Sequence, residues 1–216
     1  MADDLRAPDA DPGRSAPAGE DPGRVAQRHG RRVVGMAFVF YAALGGAAVL
    51  WRTVWGGESL LYVSEVAAER GIDWLPDLAA GLLAAGLVVL VSWEVTRRTR
   101  SGAALARALA RAIGPVPLPH CLVLALLSGV AEEAFFRGAL QPRTGLLAAS
   151  LLFGLAHFVP RREFLPWTAF SVVVGVLLGV LFEQTGNLLA PVVTHIGVNA
   201  VNLPLLVRRY GEPGAA

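Results

Sequence analysis

The chain has 216 residues, of which 54% are hydrophobic and 17% are charged, and its formal net charge is +2. A soluble domain of this size carries about 25% charged residues. The composition therefore argues against an ordinary soluble domain, and the single cysteine, Cys121, excludes an internal disulfide and a cysteine-rich metal site. All 19 basic residues are arginine, which together with abundant Ala, Gly and Val points to a GC-rich bacterial genome.

The first segment, residues 1–32, is rich in Asp, Pro, Gly, Ala and Arg and repeats the tetrapeptide Asp-Pro-Gly-Arg at 11–14 and 21–24. It shows no apolar periodicity, so burial cannot repay the entropy lost on ordering. We therefore predict a disordered cytoplasmic tail. The segment lacks the apolar core of a secretory signal.

Six apolar segments follow the tail. Crossing the roughly 30 Å hydrocarbon layer takes about 20 helical residues, and these segments are apolar on nearly every face, which argues against a membrane β-barrel. The sequence thus predicts an all-α, polytopic membrane bundle of about six transmembrane helices. The predicted spans are 33–51, 78–93, about 118–140, 144–160, 164–182 and about 188–207. The second and fourth are short for a complete crossing.

Two amphipathic segments lie between the spans. Residues 101–113 carry Arg107 and Arg111 four positions apart, which is typical of a helix that lies on the membrane surface. Residues 59–75 carry three acidic residues at the same spacing and are predicted to lie on the other membrane face in the same way; these are Glu65, Glu69 and Asp73.

The arginines indicate the orientation of the bundle. With the N-terminus inside, all but four of the 19 arginines fall in the tail or in inner connections. The positive-inside rule then favours a multi-pass protein of the cell membrane with both termini in the cytoplasm. The four outer arginines are Arg52, Arg70, Arg137 and Arg143.

Ionisable and amide side chains within three of the spans call for an explanation, because burying one charge in a membrane costs about 2.5–3.5 kcal/mol. Glu133 and Arg137 share a helix face, as do His195 and Asn199. Glu132 lies about 100° around the helix from Glu133, so it needs a partner on another helix. The six candidate site residues are Glu132, Glu133, Arg137, His157, His195 and Asn199.

The helical rise places Glu132, His157 and His195 near a common depth if the fourth span is tilted or offset. A carboxylate can activate water as a general base, while imidazole and amide groups hold the water or a developing oxyanion. One Glu and two His also match a common catalytic zinc ligand set with an open position. The spacing leaves both the metal-free and the zinc mechanism open.

The motifs Glu132-Glu133-Ala-Phe-Phe-Arg137, Phe153-Gly-Leu-Ala-His157 and His195-Ile-Gly-Val-Asn199 resemble the EExxxR, FxxxH and HxxxN motifs of one membrane family. This is the CAAX prenyl endopeptidase and bacteriocin-processing (CPBP, or Abi) family, and the resemblance covers about residues 115–205. It implies a catalytic core of four transmembrane helices over 114–209. The apolar pattern places two transmembrane helices and an interfacial helix before this core, at 33–113, and a short tail after it, at 210–216.

The resemblance implies an endopeptidase whose site lies inside the membrane. Glu132 would activate the water, His157, His195 and Asn199 would hold the water and the oxyanion, and Glu133 and Arg137 would support them as an ion pair. Eukaryotic members remove three residues from prenylated CAAX proteins, a substrate that bacteria generally lack. The family is often labelled a metalloprotease, although a metal-free glutamate mechanism has also been argued for it. A divalent metal such as zinc therefore stays a possible cofactor.

The expected substrate is a peptide or protein within the membrane, with no role for nucleic acid. Two other classes of function remain open from the sequence. One is a non-catalytic immunity or partner-binding membrane protein. The other is a proton-coupled transporter, which also buries Glu and His at the midplane. The two halves of the chain show no internal repeat, which disfavours the transporter.

Overall fold

The computed structural model describes residues 21–211, and that part of the chain is helical throughout apart from short connections. Within residues 21–211, five helices are long and apolar enough to cross a membrane, and one apolar helix is shorter. The predicted fold class, a membrane bundle of about six helices, is confirmed. The five long helices are Pro22–Trp55, Trp74–Arg98, Leu118–Thr144, Arg162–Thr185 and Leu189–Tyr210.

In chain order the described helices are labelled α1 to α9. They are α1 (Pro22–Val49), which continues as a π-helical turn (Leu50–Trp55), α2 (Glu65–Arg70), α3 (Trp74–Arg98), α4 (Arg100–Ile113), α5 (Leu118–Glu133), which continues as a π-helical segment (Ala134–Leu140) into α6 (Gln141–Thr144), α7 (Leu146–Ala156), α8 (Leu165–Thr185) and α9 (Leu189–Tyr210). A short 3₁₀ turn (Arg162–Phe164) precedes α8.

Helix α1 begins well before the predicted start of the first span. Asp21 caps it by accepting a hydrogen bond from the backbone N–H of Gly23 at 3.0 Å, and Pro22 occupies the first turn, where proline fits. The predicted disordered tail is therefore wrong from Pro22 to position 32. Residues 1–20 lie outside the described part of the chain.

The extension of α1 is held by contacts that its own sequence does not reveal. His29 donates a hydrogen bond through Nε2 to the carbonyl oxygen of Ile113 at 2.8 Å, at the end of α4. Gly30 is buried, and a Cβ atom there would lie 2.9 Å from Pro117 and 3.0 Å from His120. Because these contacts come from segments distant in sequence, the local composition of the tail could not predict the helix.

The two amphipathic segments have different outcomes. The first forms α4, which buries its alanine face and exposes Arg107 and Arg111, as a helix on the bundle surface should. The second forms only the six-residue helix α2, because Gly71 ends it at φ +78°. Asp73 instead precedes the first turn of α3, so the predicted acidic face is divided between two helices.

The helix that carries the double-glutamate motif changes its winding directly after Glu133. The segment Ala134–Leu140 is π-helical, which means that its backbone hydrogen bonds span five residues instead of the four of an α-helix. Such π-helical insertions are rare and occur frequently at functional sites. The helix ends where Gly145 takes φ +82°, a conformation that favours glycine.

The fourth apolar helix, α7, is too short to cross the membrane. Its 11 residues, Leu146–Ala156, rise about 16 Å, roughly half of the hydrocarbon thickness. The prediction of a fourth span over 144–160 is therefore wrong in length, since Gly145 separates α7 from α6 and the chain leaves the helix at His157. From His157 to position 161 the backbone is not helical.

Close helix contacts involve glycine, as is common where membrane helices pack through small residues. A Cβ atom at Gly129 of α5 would clash with Ile196 of α9, and one at Gly154 of α7 would clash with Val172 of α8. These contacts join α5 to α9 and α7 to α8. Helix α8 in turn packs against α9, and α9 also packs against α3.

A buried polar pair joins α3 to the turn before α9. Asn187 donates a hydrogen bond to Asp77 Oδ2 at 2.7 Å, and its own Oδ1 accepts one from the backbone N–H of Leu189 at 2.9 Å. Both side chains are buried. Asn187 thus satisfies the first turn of α9 while linking it to α3, which sets the position of His195 further along the helix.

Candidate active site

Glu132 lies near the C-terminal end of α5 and is 7% exposed. Its Oε1 accepts a hydrogen bond from the Tyr41 hydroxyl of α1 at 3.0 Å. Its Oε2 is buried and has no hydrogen-bond partner among the described residues. His157 Nε2 lies 3.8 Å from that Oε2, which is too far for a direct hydrogen bond. The partner on another helix that the sequence requires for Glu132 is thus Tyr41.

His157 caps the C-terminal end of α7 rather than lying inside a span. Its Nδ1 is 2.8 Å from the carbonyl oxygen of Phe153, and because a carbonyl only accepts, Nδ1 carries the proton. In the neutral imidazole, Nε2 is then an acceptor that faces Glu132. Phe153 and Trp167 pack against the ring with centroids 4.7 and 5.2 Å away and hold it in this orientation.

Glu133 forms a second, fully buried group with Arg137 and His195. Arg137 Nε lies 3.2 Å from Glu133 Oε2, and His195 Nδ1 lies 2.7 Å from Glu133 Oε1. Arg137 also donates to the carbonyl oxygen of Gly175 at 2.9 Å and stacks on the ring of Phe153 at 4.4 Å. The carboxylate therefore neutralises the guanidinium and orients the imidazole, so the network links α5 to α8 and α9.

Asn199 lies one turn beyond His195 on α9, but it does not contact either glutamate directly. It donates a hydrogen bond to Ser128 Oγ of α5 at 3.0 Å. Ser128 in turn lies beside the hydroxyl of Tyr41. Two hydroxyl groups thus lie between Asn199 and Glu132, an arrangement that motif spacing alone does not predict.

Comparison with known protein families matches residues 114–201 to the family described as Type II CAAX prenyl endopeptidase Rce1-like. This segment is a domain of that family. A curated relative, the uncharacterized protein YpbD of Bacillus subtilis (strain 168), is 43% identical over 86 residues. The aligned part spans 39% of this chain and 44% of YpbD, so less than half of either protein. No solved structure matches the chain.

The match to the CAAX prenyl endopeptidase family is thus carried by residues 114–201. All six candidate site residues fall within the matched segment, from Glu132 to Asn199, and Tyr41 falls outside it. The resemblance read from the three motifs is therefore confirmed at the level of the family.

The residues present do not fit the zinc site that the family label suggests. Among residues 21–211, no three His, Cys, Asp or Glu side chains lie together so that they could hold a metal ion. His195 Nδ1 bonds to Glu133 Oε1, and the approach of His157 Nε2 to Glu132 Oε2 is 3.8 Å. The predicted ligand set of Glu132, His157 and His195 is thus not assembled, and we derive no step through a metal.

Three side chains of the site are absent from the candidate residues chosen on sequence. Tyr41 and Ser128 place hydroxyl groups within apolar helices, which is a weak signal because many membrane helices contain such groups. Trp167 carries no signal at all, since an aromatic residue near the end of a span is common. Each contact joins two helices, namely α1 to α5, α9 to α5, and α8 to the end of α7.

Proposed function

We propose that this protein is an intramembrane endopeptidase that hydrolyses a peptide bond in a membrane-associated or lipidated peptide or protein. The observation that carries the proposal is the buried Oε2 of Glu132, which lacks a hydrogen-bond partner and faces His157 Nε2 at 3.8 Å within a CAAX-protease-family domain. A water molecule that donates one hydrogen to each of these two acceptors would satisfy both.

The proposed reaction uses that water as the nucleophile. Its oxygen bonds to the carbonyl carbon of the substrate, and one of its protons passes to Glu132. The same proton then reaches the leaving amide nitrogen as the C–N bond breaks. General acid–base catalysis of this kind contributes about 10²–10⁴-fold to the rate.

Asn199 and His195 are the proposed donors to the oxyanion. The Asn199 amide has two N–H groups and uses one for Ser128, so one remains for substrate. Glu133 holds His195 through Nδ1, which leaves Nε2 of that imidazole for the reacting carbonyl. In this proposal Glu133 and Arg137 touch no reacting atom and act by fixing the imidazole.

Water needs a route to a site inside the bilayer, and the end of α7 offers one. The backbone stops being helical at His157, about halfway across the membrane by length. Non-helical backbone at membrane depth is tolerated only where protein buries it or where it lines a water-filled cavity. This favours a hydrated recess beside His157, which suits a hydrolase.

The substitution Glu132→Gln tests the proposal, because it keeps the shape of the side chain and removes its basicity. Membranes of cells that express the wild type or the variant are compared for new peptide termini by quantitative mass spectrometry. Products that depend on the site should fall by at least about 10²-fold. Glu69→Gln, the same change at an exposed position of α2, serves as the control and should leave them unchanged.

Another outcome would favour the non-catalytic class of function. If no peptide terminus differs between the two strains, although Glu132→Gln abolishes a cellular phenotype such as immunity, the site binds a partner and the protease proposal is wrong.

A further inference from the structure

Tyr41 belongs to α1, far outside the matched segment 114–201, yet its hydroxyl donates a hydrogen bond to Glu132 Oε1 at 3.0 Å. We propose that Tyr41 is a positioning residue that fixes the Glu132 carboxylate so that Oε2 faces His157 and the reacting water. The inference rests on the proposed function, since it gives α1 a part in the hydrolysis.

The two glutamates of the motif differ in how they are held. Glu133 Oε1 accepts hydrogen bonds from Arg137 Nη1 at 3.3 Å and from His195 Nδ1 at 2.7 Å, and Arg137 Nε lies 3.2 Å from Oε2. Side chains from two directions thus fix the orientation of Glu133. No described residue other than Tyr41 donates a hydrogen bond to Glu132. The terminal torsion of a glutamate side chain is broad, so without that donor nothing would set which oxygen points to His157.

The Tyr41 hydroxyl is a polar contact on an otherwise apolar helix face. The fully buried described residues of α1 are Gly30 and Ala48, and Tyr41 is half-buried where the helix packs against α5. Side chains around the middle of the helix, such as Met36 and Val39, are 67% and 68% exposed, as expected for a surface that faces lipid. A phenol that points inward from this helix and ends on a buried carboxylate therefore calls for a role at the site.

A second hydroxyl group lies next to the Tyr41 phenol. Ser128 lies beside the Tyr41 hydroxyl and also accepts the hydrogen bond of Asn199. The hydroxyl groups of Tyr41 and Ser128 thus lie between the proposed general base and the proposed oxyanion donor. The position of α1 therefore bears on the surroundings of both halves of the site.

The substitution Tyr41→Phe removes the donor and keeps the ring. The assay uses the full-length protein in detergent and a synthetic peptide that spans a cleavage site identified from the loss of products in Glu132→Gln membranes. We expect kcat to fall by about 10- to 100-fold, the range that corresponds to a hydrogen bond with a charged group. KM should change by less than about two-fold, because Tyr41 does not touch the substrate in this proposal.

A double-variant cycle separates positioning from a purely structural role. Glu132→Asp keeps a carboxylate but withdraws it from Tyr41, so adding Tyr41→Phe to it should cost little more activity. Tyr62→Phe removes a phenol hydroxyl outside the site and should leave kcat unchanged. Rates are normalised to folded protein by thermal unfolding, and the unfolding temperature of Tyr41→Phe should stay close to that of the wild type.

Each contrary result has a distinct meaning. If Tyr41→Phe cleaves the peptide as fast as the wild type while Glu132→Gln does not, the inference is wrong and the proposed function stands. Equal losses of activity and of folded protein, or full additivity with Glu132→Asp, would assign Tyr41 a structural role and overturn the inference. If Glu132→Gln membranes lose no products, the proposed function and the inference fail together.

Discussion

The substitution Glu133→Gln should destabilise the protein far more than Glu132→Gln, although the two residues are adjacent. Glu133 is 0% and Arg137 1% exposed, and the carboxylate holds both the guanidinium and His195. Removing one partner of a buried ion pair costs about 3–5 kcal/mol, because the other charge stays buried without compensation. Glu132 has a single hydrogen bond, to Tyr41, and Gln can still accept it.

For a chain of 150–250 residues, 1 kcal/mol shifts the unfolding temperature by about 2–4 °C. Glu133→Gln should therefore lower it by roughly 6–20 °C, and Arg137→Ala should do the same. The shift is measured by heating the protein in detergent and recording, by gel filtration, the fraction that stays monodisperse at each temperature. Glu69→Gln controls for the loss of one charge. If Glu133→Gln unfolds within about 2 °C of the wild type, the ion pair does not carry the stability that its burial indicates.

Two further predictions concern topology and metal. Reporters fused after Arg100, Arg162 and Arg209 should lie in the cytoplasm, and a reporter near Glu65 should lie outside it. The reason is that most arginines fall in the inner segments. The reverse pattern of reporters would show that the predicted orientation is inverted. Exhaustive chelation should leave cleavage intact, since the described residues assemble no metal ligand set; tightly bound zinc by elemental analysis, with activity lost on its removal, would contradict this.

The positions of the long helices were predictable because membrane helices obey a local rule. The predicted span 164–182 lies within the observed helical segment Arg162–Thr185, and the predicted span 188–207 starts one residue before the observed helix Leu189–Tyr210. Each depends on a run of apolar residues long enough for the bilayer, and lipid imposes that length whatever the neighbouring helices are. The observed helices mainly differ from the predicted spans by a few additional residues at the ends.

Lengths that depend on tertiary contacts were not predictable. The extension of α1 to Pro22 is held by His29 on the carbonyl oxygen of Ile113, 84 positions away in the chain. The end of α7 at His157 is different, because the ring bonds locally, to the carbonyl oxygen of Phe153 four residues earlier. Hydropathy counts apolar residues and is blind to both contacts.

The contacts of the candidate site also fall into those that the sequence predicts and those that only the tertiary structure sets. The sequence by itself determined the Glu133–Arg137 pair, since residues four apart on a helix meet whatever surrounds them. It also indicated that Glu132 needed a partner from another helix. Only the tertiary structure decided that this partner is Tyr41 and that His195 turns to Glu133, contacts that span 91 and 62 positions of the chain. Such pairings depend on which helix faces pack together, and helix packing is set by the whole bundle rather than by spacing along any one helix.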